Sequence, residues 1–255
     1  MTLTFSRRHL IQRMGSLPLA AVLADPALAR AAAASLQQVT LTTAGGRKVN
    51  AALAVPETTP APAVLLIHEI WGLNDQIKAV AAELANTGLL ALAVDVFDGK
   101  TADTLEAGRA VMQTVDPQAA TDTLVSWLEW LKSHEKATGK VAAMGWCFGG
   151  GWALNASIAE PVDATVVYYG RVEKPADQLS KLKGPVLGHF ATRDEFINKA
   201  MVDAFEKAMA EAGKPLTVYW YDADHAFANP TGAKYDEADA ALAWSRTLAF
   251  LRETL

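Results

Sequence analysis

Residues 141–150 read Val141-Ala142-Ala143-Met144-Gly145-Trp146-Cys147-Phe148-Gly149-Gly150. An apolar run of strand length, Val141 to Met144, enters a glycine-flanked turn, and Gly149 to Ala159 then reads as a helix. The turn fits the G-x-nucleophile-x-G elbow with cysteine in the place of serine. Glycines at 145 and 149 remove Cβ atoms that would strike neighbouring backbone. A helix that begins at Cys147 turns its positive dipole end toward the sulfur and favours a thiolate. The amide of Phe148 is placed to meet a developing oxyanion. On this stretch alone, a small buried apolar cysteine is an equal reading.

The same alternation extends in both directions. Val39-Thr43 and Val49-Val55 flank Gly45-Gly46 and predict a hairpin. Ala63-Ile67 and Leu89-Val94 are continuous apolar runs, as in strands buried on both faces. Between them, Asn74 or Asp75 caps a helix to Asn86 that Gly88 stops. A helical region from Asp103 to His134 breaks near Asp116-Pro117. Ala164-Tyr169, Val186-Ala191 and Leu216-Tyr221 are further strands. Met201, Phe205, Ala208 and Ala212 mark a helix stripe, and Tyr235-Thr254 a closing helix. Strands and helices in turn predict an α/β fold, a mostly parallel central sheet with helices on both faces.

The chain has 255 residues, 51% apolar and 20% charged, with a net charge of -5 and a single cysteine. That composition excludes disorder and fibrous classes and makes nucleic acid an unlikely fit as partner. One cysteine forms no intramolecular disulfide, CxxC pair or cysteine-rich zinc site. No metal is expected.

Ligands of such sheets sit at the carboxyl ends of strands, so polar residues just after each strand are the candidates. Asp194 follows the strand ending at Ala191, and His225 follows the strand ending at Tyr221. The order nucleophile, acid, base (Cys147, Asp194, His225) is that of the α/β-hydrolase fold. His225 would take the thiol proton, and Asp194 would fix its tautomer. Asp222 and Asp224 are rival acids. Asp194 is preferred because a partner from a separate strand end can approach the imidazole from behind. His189, inside an apolar strand, reads as a core histidine. His68-Glu69-Ile70-Trp71-Gly72 follows the third strand, where the second oxyanion-hole amide belongs; Ile70 is the candidate. His68 is a substrate-side candidate.

These motifs, with Tyr168-Tyr169-Gly170 and Asp224-His225-Ala226-Phe227, resemble the dienelactone hydrolase family from about Val39 to the C-terminus. The resemblance implies a single α/β-hydrolase domain over 35–255, a Cys-Asp-His triad, no cofactor, and hydrolysis of small esters or lactones through a thioester. It implies that Glu69 contacts the resting thiol and helps to ionise it. It also exposes departures. Asn229 and Leu105 stand where dienelactone hydrolases place substrate-binding arginines, with Arg109 near the latter, and Ala226 replaces a serine. Loss of a bidentate clamp predicts a native substrate other than dienelactone. Trp71, Trp146, Phe227 and Phe97, with His68 and Asn229, are the candidate pocket residues. Alternative readings are a non-catalytic small-ligand binding protein and a thiol redox sensor.

Residues 1–34 read as an export signal. Ser6-Arg7-Arg8-His9-Leu10-Ile11, a modest apolar stretch and Ala27-Leu28-Ala29 resemble a twin-arginine signal cleaved near 29–34. This predicts a bacterial periplasmic protein handled by the twin-arginine machinery, without a stable membrane anchor; a monomer is expected, with a small ester or lactone as its partner.

Overall fold

The computed structural model describes residues 19–255, so the twin-arginine segment lies outside the described residues. Two short helices come first, α1 (Leu19–Ala24) and α2 (Pro26–Ala33). The hairpin follows as β1 (Gln37–Thr42) and β2 (Lys48–Ala54), antiparallel and in register from Gln37 opposite Leu53. Then come β3 (Ala61–Ile67), α3 (Asp75–Asn86), β4 (Leu90–Val94), α4 (Leu105–Gln113) and α5 (Pro117–Ser133). The second half runs β5 (Ala137–Trp146), α6 (Phe148–Ala159), β6 (Ala164–Tyr168), α7 (Ala176–Leu179), β7 (Val186–Ala191), α8 (Lys199–Glu211), β8 (Leu216–Tyr221) and α9 (Glu237–Thr254).

The eight strands form one sheet in the order β1-β2-β4-β3-β5-β6-β7-β8. The β2–β4 pair is antiparallel, and every pair from β4 to β8 is parallel. The order reverses at β3, whose neighbours are β4 on one side and β5 on the other. A crevice opens at such a switch point beyond the carboxyl ends of the strands. The expected fold class is therefore the observed one.

Strand alternation splits the core between the two faces. Val64 and Leu66 of β3 and Met144 of β5 pack with α3 and α9, whereas Ala63, Leu65, Ile67 and Val141 pack with Trp127, Leu128 and Leu131 of α5. Both sets are fully buried, which explains the unbroken apolar runs in the sequence. Local signals set the helix starts. Asn74 accepts the Ile77 amide at 3.2 Å at the head of α3, and Asp116 accepts the Ala119 amide at 2.8 Å at the head of α5.

Several boundaries differ from expectation, and one short helix is unexpected. β5 continues through Trp146, because its parallel partner β6 stays in register to Tyr168. Tyr169 leaves the strand with φ at +37° and turns the chain away from the sheet. The one-turn α7 has too few residues to show a periodicity.

Helices α1 and α2 pack on one another and on α3. Val22, Leu23, Ala29, Ala32 and Leu36 are buried in the same core face as Ile77, Val80 and Leu84.

Candidate active site

The β5–α6 turn is as tight as the glycines demand. A Cβ on Gly145 would strike the Gly149 carbonyl, and one on Gly149 would strike the Ile67 carbonyl of β3. Cys147 sits between them with φ +53° and ψ -117°, a conformation that costs a non-glycine residue about 1–3 kcal/mol. Hydrogen bonds hold it there: its amide donates to the Tyr168 carbonyl at 3.0 Å, and its carbonyl accepts the Gly150 amide at 3.1 Å. The strain lifts the sulfur out of the sheet edge toward the crevice.

Two further loops meet it. His225, after β8, places Nε2 3.2 Å from Cys147 Sγ and Nδ1 2.6 Å from Asp194 Oδ2. Asp194, after β7, is buried, and its other oxygen accepts the amides of Phe196 at 2.8 Å and Ile197 at 2.9 Å. Burial pushes the Asp194 carboxyl up, but the His225 ring and these two amides outweigh it and hold the group below its ordinary range. For His225, burial alone would lower the pKa. The bonds and charges of Asp194 and Cys147 override it and raise the imidazole to about 10. The rival acids lie outside this line. Asp222 is exposed and paired with Arg193, and Asp224 faces Arg193 at 3.5 Å and Lys234 at 3.2 Å.

The Ile70 and Phe148 amides flank this centre from the β3 and β5 loops. Neither donates to a protein acceptor among the described residues. Glu69 is buried beside them. Asn229 Nδ2 donates to one carboxylate oxygen and Tyr169 Oη to the other at 3.2 Å. Asn229 is itself oriented by the Thr231 amide, which its Oδ1 accepts at 3.0 Å. Burial drives the Glu69 pKa up, opposed by the His225 charge and by the Asn229, Tyr169 and Trp71 donors. The expected contact between Glu69 and the resting thiol is absent: the sulfur is turned to His225, and the carboxylate is turned to Asn229 and Tyr169.

The thiol opens on a cavity of about 870 Å³ whose walls include Ile70, Trp71, Met112, Phe148, Trp152 and Phe196. Leu105 and Phe196 stand on its rim 49% and 61% exposed, more than any other large apolar side chains described. Arg109 lines the same cavity, 5.8 Å from the Phe196 ring, with no carboxylate partner among the described residues.

Of the six candidate pocket residues, only Trp71 lines this cavity. His68 is fully buried at the end of β3. Trp146, the last residue of β5, falls by strand alternation on the core face that holds Met144, where it stacks on Tyr168 at 5.4 Å. Phe227 is buried beneath the His225 loop against Tyr169 and Tyr221, and Asn229 backs Glu69. Phe97 is also buried, packed against His68 and Phe148. His189 is the core histidine expected, bonded to Tyr221 and Thr247, with burial lowering its pKa to about 3. Sequence reading missed Tyr169 as the second donor to Glu69, although Tyr168-Tyr169-Gly170 stands at a strand end. It also missed Met112, Trp152 and Phe196, which carry no local signal beyond being apolar.

Residues 49–255 match the model of the dienelactone hydrolase family. The chain belongs to that family. Carboxymethylenebutenolidase 1 of Cupriavidus pinatubonensis is 26% identical to it, over 84% of this chain and 95% of the relative. A Saccharolobus solfataricus protein provisionally named a carboxymethylenebutenolidase is 32% identical, over 81% of this chain and 95% of its own length. Among solved structures, a dienelactone hydrolase-like promiscuous phosphotriesterase from metagenomic libraries superposes with a TM-score of 0.77. It shares 23% identity, covering 86% of this chain and 98% of that one. As a dienelactone hydrolase family member related to the carboxymethylenebutenolidases, the protein is a hydrolase, and the non-catalytic binding reading falls.

Proposed function

We propose that this dienelactone hydrolase family member cleaves carboxylic esters or lactones with Cys147 as nucleophile and His225 and Asp194 as its base and acid. The observation that carries this reading is the line Asp194 Oδ2–His225 Nδ1 at 2.6 Å and His225 Nε2–Cys147 Sγ at 3.2 Å, ending at the mouth of the cavity. His225 takes the Cys147 thiol proton, and the charged sulfur then faces the ester. Sulfur attacks the carbonyl carbon, and the electron pair moves to the carbonyl oxygen. That oxyanion is met by the amides of Ile70 and Phe148. Collapse breaks the C–O bond; the leaving alkoxide takes the His225 proton, and a thioester remains. His225 then takes a proton from water, whose oxygen attacks the thioester. Expulsion of the sulfur frees the acid and restores the pair. In a lactone the leaving alkoxide and the acid are one molecule.

The cavity favours an ester with a sizeable apolar or aromatic part. Its volume of about 870 Å³ lies at the upper end of small-molecule sites. Asn229, where a carboxylate clamp would require arginine, is committed to Glu69. Arg109 and Lys174, lining cations without a carboxylate partner among the described residues, are left to meet an anionic end of the substrate. The test is a panel of lactones, including dienelactone, and aryl esters, with Cys147→Ala as control. Turnover of neutral aryl esters that Cys147→Ala abolishes supports the reading; persistent turnover in that variant sinks it.

Export through the twin-arginine route to the periplasm is proposed from Ser6-Arg7-Arg8 and Ala27-Leu28-Ala29. Cell fractionation with N-terminal mass measurement tests it, and a cytoplasmic chain of full length would overturn it.

A further inference from the structure

His68 lies between the two loops that carry the oxyanion donors, and nothing in the reaction described above uses it. It is fully buried at the end of β3. The Val96 amide donates to its Nε2 at 3.2 Å, so that nitrogen carries no proton. The proton of the neutral ring is then on Nδ1, 2.6 Å from the Glu69 carbonyl oxygen, which can only accept. Burial lowers the pKa of this ring and keeps it neutral. The ring is wedged edge-on against Phe97 at 4.6 Å and nearly parallel to Phe148 at 6.0 Å.

The bonded carbonyl belongs to the peptide that joins Glu69 to Ile70. A trans peptide is planar, and its C=O and N–H point in opposite directions. Anchoring the Glu69 oxygen therefore fixes the direction of the Ile70 N–H. The other donor to that oxygen is the Gly72 amide, at a long 3.3 Å. A second effect works in the same direction. Donation to the carbonyl polarises the amide and strengthens its N–H as a donor. The same ring bears on Phe148, whose own amide is the second oxyanion donor.

We propose that His68 is the positioning residue of the oxyanion hole, locking the Glu69–Ile70 peptide through its Nδ1–H so that the Ile70 amide faces the tetrahedral intermediate. This rests on the thioester mechanism proposed above.

The experiment compares wild type, His68→Leu and His68→Asn in three measurements. These are the burst rate of acylation by p-nitrophenyl butyrate, KM for that ester, and the rate of Cys147 alkylation by iodoacetamide. Alkylation occurs at a saturated carbon and builds no oxyanion, so it reads the thiol without the hole. His68→Leu is expected to slow acylation about 10²–10³-fold, the usual effect of losing one oxyanion donor. KM and alkylation should stay within about threefold. His68→Asn, whose amide nitrogen falls where Nδ1 lay, should recover at least tenfold of the loss. Unchanged acylation in His68→Leu overturns the proposal. So does a parallel fall in alkylation, which marks general damage to the site, or an Asn variant no better than Leu. A wild type that forms no thioester defeats the mechanism itself, and that failure is visible before any variant is made.

Discussion

A thiol held at φ +53° and an imidazole raised to about 10 define the residue scale of this molecule. A group whose folded pKa is raised stabilises the fold fully below its unfolded value, near 6.5, and loses that contribution as pH rises through the folded value. Wild type should therefore be more stable than His225→Gln near pH 6, and the difference should shrink steadily toward pH 10; urea unfolding at a series of pH values checks this. A difference that grows with pH would contradict it. Glu69 offers a second check. Asn229→Ala removes one of its two closest donors and leaves a buried carboxylate underbonded, which should cost about 1–3 kcal/mol in the same measurement at pH 7. That Cys147, Asp194 and His225 would meet was legible because each follows its own apolar strand, and strand ends converge in a parallel sheet. The pocket wall was not. Trp146 adjoins the nucleophile but is buried in the core beside Met144 and Tyr168, and His68 adjoins the oxyanion loop but its ring faces back to Val96 and Phe148.

At the scale of elements, the N-terminal pair α1 and α2 has a dual character. The sequence reads it as part of an export signal, yet Val22, Leu23, Ala29 and Ala32 are buried in the core face beside α3. Burial of a Val or Leu side chain is worth about 1.5–3 kcal/mol before the cost of ordering the helices. A chain that begins at residue 35 should accordingly fold, since its sheet is intact, but melt about 5–10 °C below the chain that keeps α1 and α2. Calorimetry on the two forms decides it, and equal melting temperatures would show that the pair contributes nothing to the fold. Periodicity could not show this docking, because an apolar leader helix and an apolar core helix look alike in sequence. The alternation of β3 to β7 was readable for the opposite reason. Strands buried on both faces leave unbroken apolar runs that few other structures produce.

Across the whole molecule, a switch in strand order opens a crevice, four loops close around it, and one wall is left apolar and large. Size selectivity follows from that shape. Each methylene brought against Ile70, Met112, Trp152 and Phe196 gains up to about 0.8 kcal/mol. The ratio kcat/KM should rise about tenfold from p-nitrophenyl acetate to the butyrate, and Phe196→Ala should flatten the rise. A preference for acetate would mean that the cavity is not where the acyl chain binds. Met112, Trp152 and Phe196 did not stand out in sequence, since apolar residues far apart in the chain become one surface only after the loops assemble.

The proposed reaction depends on a covalent bond to one sulfur. Rapid-quench mass spectrometry of the protein mixed with p-nitrophenyl butyrate tests it most directly. An acyl mass should appear within the first turnover on the peptide that contains Cys147, decay as p-nitrophenol release reaches steady state, and be absent in Cys147→Ala together with all turnover. Turnover without that adduct, or an adduct on any other residue, would contradict it.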